Sequence, residues 1–303
     1  MAIITSGSFA KALWPGVNAW YGKSYNEYSP EWTALFDQNK SSKAYEEDVG
    51  YSSFGLASVK AEGAPVTYDS ARQGFTTRYQ HVVYALGFMI TREMYEDDQY
   101  DVIGKKKANA LARSMRISKE ITAANVYQRA VTSGYTGGDG VVLLSASHPK
   151  VAGGTYSNII GTTADLSEAS LEQACIDIEG FTDDRGLIIA AKPKTLIIPR
   201  QLRFEAYRIL KADGRVGTDL NDPNAIKAMG TFGEPVVNHF FTADDDAWFI
   251  RTDVPDGMKY FERRGDQFEM DNDFDTENAK FKATARYSFG WSDPRGLYGS
   301  MGA

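Results

Sequence analysis

The chain has 303 residues, 43% of them hydrophobic and 24% charged, ordinary proportions for a soluble globular protein with a sizeable core. A formal net charge of −7 argues against a strongly basic, free-standing nucleic-acid binder, while leaving room for a local basic face. The single cysteine, Cys175, excludes an intrachain disulfide framework, and no stretch approaches the ~20 apolar residues that span a bilayer.

In chain order, GVNAWYGKS at 16–24 first invites a phosphate-loop reading. Gly16 and Gly22 are separated by five residues where that loop needs four, before Lys23 and Ser24. No strand leads in, Pro15 precedes Gly16, and Pro30 follows soon after, so no helix is expected to start at Lys23 and gather amides on an anion. Residues 1–40 read instead as an extended arm, with one short helix at EWTALFD, whose Trp14, Trp20, Tyr21, Tyr25 and Tyr28 must dock on something. The chain's 17 Tyr, 16 Phe and 5 Trp suit broad contact surfaces of that kind.

Residues 41–73 place Gly50, Gly55, Gly63 and Pro65 among short strand-like pieces. They predict a long β-hairpin, carrying Tyr45, Tyr51, Phe54 and Tyr68, too polar to form a core alone. In 81–91, Val82, Tyr84, Leu86, Phe88 and Ile90 share one face of a strand. Residues 92–131 predict a helix about 60 Å long. Glu93, Glu96, Asp97, Asp98 and Asp101 crowd its start, where the helix dipole favours negative charge. Lys105, Lys106, Lys107, Arg113 and Arg116 give it a basic patch.

A glycine-rich connection over 134–164 leads to a helix with Ser167 as N-cap and a staple from Leu166 to Leu171. Cys175 aligns there with Leu171 and Ile178, as a buried small hydrophobe. LIIAAKPKTLIIP at 187–199 reads as a buried strand region, RQLRFEAYRILK as a second helix, and EPVVNHFF and AWFIRTD as strands. Near the end, Phe281, Ala283, Ala285, Tyr287 and Phe289 alternate with Lys280, Lys282, Thr284, Arg286 and Ser288, the mark of a half-buried strand. The order is mixed α+β.

Chemistry is poorly represented. None of His81, His148 and His239 has a second His or Cys at metal-ligand spacing, so no metal site is predicted. Ser145, Ser147 and His148 are too close in sequence to point at one another as nucleophile and base, and SASHP reads as a turn. DNDFDTEN begins like a calcium loop but offers Thr276 where glycine is needed and Lys282 where a bidentate Glu is needed. Asp244, Asp245 and Asp246 read as a solvated turn. No catalytic or cofactor-binding residue is assigned, and the chain is not expected to be an enzyme.

Taken in order, GDGVVLLSASHPKVAGGTYSN, ADLSEASLEQA, TDDRGLIIAAKPKTLIIPRQLRFEAYRIL and YSFGWSDPRGLYGS resemble the major capsid proteins, or major head subunits, of tailed bacteriophages and prophages. The resemblance runs from about residue 75 to the C-terminus, and the co-occurrence of the pieces carries it. It implies an α+β capsid-type fold with an N-terminal arm at 1–40 and an extended loop at 41–73 that reaches over a neighbouring subunit. A peripheral domain would follow at 74–159, with its spine helix at about 92–131. Residues 160–256 would be an axial domain, with GRVGTDLNDPN at the capsomer centre, and 257–303 the return strands of the peripheral domain.

The implied function is structural: hexamers and pentamers closing into an icosahedral head around double-stranded DNA, assembled in the bacterial host cytoplasm and ending in the virion, with no cofactor and no membrane. Trp14, Trp20, Tyr21, Tyr25, Tyr45, Tyr51, Phe54 and Tyr68 would contact neighbouring subunits, and the spine's Lys105, Lys106, Lys107, Arg113 and Arg116 would face DNA without sequence preference. Portal and decoration proteins are implied partners, as is a separate scaffolding protein, since only about 40 residues precede the extended loop. Some relatives join a loop lysine to a neighbour's asparagine; Lys60 sits in a comparable place, without an identifiable catalytic acid. An encapsulin-like compartment shell is the near alternative. A soluble carbohydrate-acting enzyme, using aromatics as sugar platforms, is the alternative from another class.

Overall fold

The computed structural model describes residues 18–91, 93, 100–214, 223–273 and 278–303. Trp14, the acidic residues Glu96, Asp97 and Asp98, positions 215–222 of GRVGTDLNDPN and positions 274–277 of DNDFDTEN lie outside them.

Two four-stranded sheets organise the chain, beside a hairpin and the short antiparallel pair β5 (His148–Pro149) and β6 (Thr155–Tyr156). The first has the order β1 (Asp37–Lys40), β10 (Met258–Asn272), β11 (Ala279–Trp291), β4 (Val82–Ile90), with β1 parallel to β10 and the other pairs antiparallel. The alternation expected for 280–289 holds as far as Tyr287, with Phe281, Ala283, Ala285 and Tyr287 buried and Lys280 and Lys282 exposed; it breaks at Ser288, which is buried against His81, while Phe289 is only partly covered. That inner face packs on the long helix α3 (Tyr100–Gln128), whose Ala108, Ala112, Ala123 and Ala124 are fully buried and let the helix lie close. On β4 the predicted face is right but its burial is incomplete. Ile90 is buried, whereas Val82 and Leu86 stay about half exposed because β4 is the edge of the sheet.

The second sheet has the order β12 (Leu297–Ser300), β9 (Trp248–Thr252), β7 (Pro193–Pro199), β8 (Val236–Asn238). It is covered on both faces, which is why TLIIP and AWFI read as unbroken apolar runs. Ile197, Phe249 and Leu297 join the core of the first sheet and α3. Leu196, Ile198, Trp248, Ile250 and Tyr298 face a second core built with α4 (Glu168–Glu179) and α5 (Arg203–Lys211). Ser167 caps α4 by accepting from the Ser170 amide, and Ser170 reciprocates on the Ser167 amide, with Leu166 and Leu171 both buried beside the cap. Cys175 is only half-buried, one position off the face that Leu171 and Ile178 share.

Three placements differ from the sequence reading. Residues 18–25 are a helix (α1) rather than extended, followed by α2 (Trp32–Leu35). Helix propensity is weak there, and packing of its aromatic side decides the conformation. The rejection of a phosphate loop agrees with this placement, since Lys23 and Ser24 lie in the last turn of α1 and not at a helix start. β1 belongs to the first sheet although it falls within the expected arm, and β12 pairs with β9 rather than returning to the strands of the first sheet.

Candidate assembly surfaces

A hairpin is present, β2 (Tyr45–Tyr51) paired with β3 (Gln73–Gln80), from Tyr45 opposite Gln80 to Tyr51 opposite Gln73, but its return strand runs seven residues past the 41–73 expected for it. The register slips near Gly50 and Gly74, whose backbones cross so closely that a Cβ on Gly74 would sit 3.0 Å from Gly50 carbonyl atoms. Beyond Tyr51 the ladder stops. The two arms of the loop meet through Ser52 and Arg72, through the Ser58 and Thr67 hydroxyls, and at a tip turn where Ala64 donates to Ala61 and Gly63 adopts φ +77°. Along this stretch Tyr51, Phe54, Leu56, Val59, Val66 and Tyr68 are all exposed, Tyr68 by 92% and Val59 entirely. Tyr45 is also exposed, at the base, with the Arg78 guanidinium 3.7 Å over its ring.

One device ties the loop back to its own chain. Asp183, in the turn after α4, accepts from the Ser53 hydroxyl at 2.6 Å. Arg185 reaches the Asp69 carboxylate at 2.9 Å and the Ser70 carbonyl at 3.0 Å. Amides of Gly55 and Ser70, and then the Arg185 charge, hold the Asp69 carboxyl below the usual carboxylate range.

The aromatic arm is used differently from the hairpin. Tyr21 is buried, stacked on Phe268 with ring centroids 4.6 Å apart, and Tyr25 stacks on Tyr21 while donating its hydroxyl to Asp266. Trp20 packs against the same core, and Trp32 sits 4.4 Å from the Tyr260 ring. The expectation that Trp20, Tyr21 and Tyr25 dock on a neighbour is therefore corrected: their rings lie against their own subunit. What holds the segment is α3. The buried Glu120 carboxylate caps α2 by accepting from the Glu31 and Trp32 amides at 2.9 Å each. Burial pushes the Glu120 carboxyl up, and those two amides oppose the shift.

Next to it the buried Lys119 ammonium lies within 5.3 Å of the Trp32, Tyr260 and Tyr287 ring centres, 3.8 Å from Glu262. Burial pulls its pKa down, against the pull of Asp266 and Glu262. Nothing in the sequence marked Lys119, because the three rings around it come from separate segments. A cavity of about 450 Å³ between α1 and α3 is lined by Tyr21, Tyr25, Arg116, Lys119 and Asp266.

Of the proposed DNA-facing residues, Lys105, Lys106 and Lys107 are exposed. Arg113 pairs with Glu27 at 3.4 Å, and Arg116 stacks over Tyr28 and donates to the Ser29 carbonyl, so both arginines serve the arm. His148 is fully buried rather than in an open turn, with Asp139 2.6 Å from Nδ1 and Asn158 3.1 Å from Nε2. Asn158 in turn donates to the carbonyls of Leu143, Pro294 and Leu297. Among the described residues no serine hydroxyl joins that network; the His–Asp pair braces the glycine-rich connection internally, and Asn158 ties it to the C-terminal segment. Among the described residues no group of acidic, His or Cys side chains is arranged to hold a metal ion, and no helix is long and apolar enough to cross a membrane.

Residues 74–300 match the family model described as phage capsid protein, about three-quarters of the chain. The chain belongs to the phage capsid protein family. It is thereby a structural shell subunit, and the enzyme alternative has no support from the family. The fold is also that of solved shells. A Microbacterium phage Oxtober96 structure aligns at 12% identity over 91% of this chain and 92% of that one, with a TM-score of 0.53. The capsid of a native GTA particle aligns at 13% identity over 90% of each chain, with a TM-score of 0.54. A virus-like particle from Pyrococcus furiosus aligns at 11% identity over 94% and 97%, with a TM-score of 0.51. Among curated proteins no sequence matches.

Proposed function

We propose that this capsid protein closes into an icosahedral head of hexamers and pentamers around double-stranded DNA, assembled in the host cytoplasm without catalysing a reaction. The hairpin at 41–73 is the extended loop, α3 the spine of a peripheral domain, and the second sheet with α4 and α5 the axial domain. Scaffolding, portal and decoration proteins are its further partners in assembly. The observation that carries the reading is the hairpin beyond Tyr51. Tyr51, Phe54 and Tyr68 spread apolar surface that their own chain leaves in water, far more than scattered surface residues do. Ordering such a segment costs entropy that burial against a neighbouring subunit offsets.

DNA contact runs through Lys105, Lys106 and Lys107, is independent of sequence, and weakens with salt. The test is electron microscopy of the purified protein beside a variant shortened across 50–66. Wild type should form closed shells, whereas the shortened subunit should stay soluble, melt as wild type does, and form none. Closed shells from the shortened variant would refute the role given to the hairpin. Shells filled with a protein cargo instead of nucleic acid would establish the encapsulin-like alternative in its place.

A further inference from the structure

The axial domain carries two exposed helices of opposite charge. In α4, Glu168, Glu172, Asp177 and Glu179 are accompanied by no Lys or Arg. Its outward stripe centres on Ile176, which is 64% exposed. The other helix, α5 with its lead-in turn, holds Arg200, Arg203, Arg208 and Lys211 against one acid, Glu205. There the outward stripe runs Arg200, Phe204, Tyr207, Lys211, with Phe204 74% and Tyr207 63% exposed. Both helices bury their inner stripes in one core, Leu171, Ala174 and Ile178 from α4 and Ala206, Ile209 and Leu210 from α5. The exposed aromatics are therefore left over after the fold's own packing is complete.

We infer that α4 of one copy docks on α5 of the next, with Ile176 set against Phe204 and Tyr207 and the flanking carboxylates facing the flanking cations. The occupant is a second copy of this chain, and the inference rests on the shell reading above. Charge selects the pairing. Each subunit carries −7 overall, so copies repel at long range and need local complementarity where they meet. A self-matched contact would set Arg203 and Lys211 against their own symmetry mates, or Glu172 and Glu179 against theirs, both repulsive. Only the mixed pairing puts opposite signs together. Such a contact uses two different patches, is heterologous, and propagates around a ring until the ring closes. Apolar anchors at the centre with charges at the rim match the usual anatomy of an interface.

The test is charge reversal in the full chain. Arg203→Glu with Lys211→Glu leaves both helices net acidic; Glu172→Lys with Glu179→Lys cancels the net charge of α4 and puts two lysines on the outward stripe around Ile176, so that stripe and α5 are both basic. All four positions lie at least partly in solvent, so each variant should melt as wild type does. Neither variant alone should form rings under conditions where wild type does, read by native mass spectrometry and negative-stain microscopy. The chain carrying all four changes should recover them. Mixed one to one, the two variants must alternate around a ring, so they should give even-membered rings and no five-membered ones. Rings from either variant alone at wild-type yield, or no recovery in the fourfold chain, would overturn the α4–α5 contact while leaving the shell reading standing. Wild type that never associates would overturn the shell reading, and this contact with it.

Discussion

Tyr21 separates an arm folded onto its own subunit from an arm waiting for a neighbour. The ring is 5% exposed and stacked on Phe268, 4.6 Å away and 4° from parallel. Aromatic-to-alanine truncations at such sites cost about 3–5 kcal/mol, and the Tyr21 hydroxyl, which finds no partner among the described residues, already offsets roughly 1 of that. Tyr21→Ala should therefore weaken docking of the arm by about 2–4 kcal/mol, which raises local opening roughly 30- to 700-fold. Tyr21→Phe keeps the stack and removes the unpaired hydroxyl, so it should be neutral or slightly stabilising.

The assay is native-state amide exchange over residues 18–36 in subunits verified as monomers by sedimentation. Tyr68→Ala serves as the control, since a ring 92% in water should shift subunit stability by less than about 0.5 kcal/mol. Exchange in monomeric Tyr21→Ala indistinguishable from wild type would refute the docked arm and restore the neighbour-bound one.

Three further outcomes follow from buried groups. Burial, then the Glu179 and Glu172 charges, push the Cys175 thiol up to about 11, so alkylation of the folded chain at pH 8 should run about two orders of magnitude slower than in denaturant; equal rates would contradict that environment. Burial raises the Asp266 carboxyl above its unfolded value, so its contribution to stability is full below about pH 4 and is lost as pH rises through the folded pKa. Melting of Asp266→Asn should therefore gain on wild type between pH 4 and pH 7, and a pH-independent difference would show the carboxyl to be unperturbed. Asn158→Ala leaves the Leu143, Pro294 and Leu297 carbonyls and the Ser145 amide without their partner, and should cost about 3 kcal/mol or more in denaturant unfolding; a loss under 1 would mean that water replaces the amide.

What the sequence disclosed was local in origin. The two-residue alternation on β11 and the serine cap of α4 with its leucine staple each depend on residues within a turn or a strand of one another, so spacing alone determines them. The misread features depend on partners brought in by the fold. Tyr21 and Tyr68 are the same residue type in stretches that look equally irregular as sequence, yet one is covered by Phe268 from β10 and the other stays exposed among the described residues. Lys119 lacks any local sign of its three rings, and Arg185 shows none of its reach to Asp69.

The hairpin was legible for the opposite reason: its composition offers too little apolar surface on one face to close a core of its own. The axial helices combine both cases. Their inner stripes follow from periodicity, while the meaning of Ile176, Phe204 and Tyr207 lies outside the subunit, where charge sign along each helix is the one trace of the partner that the sequence retains. A single-chain fold leaves such residues unexplained by its own packing, and in a shell protein that surplus is the part of the sequence that encodes the next copy.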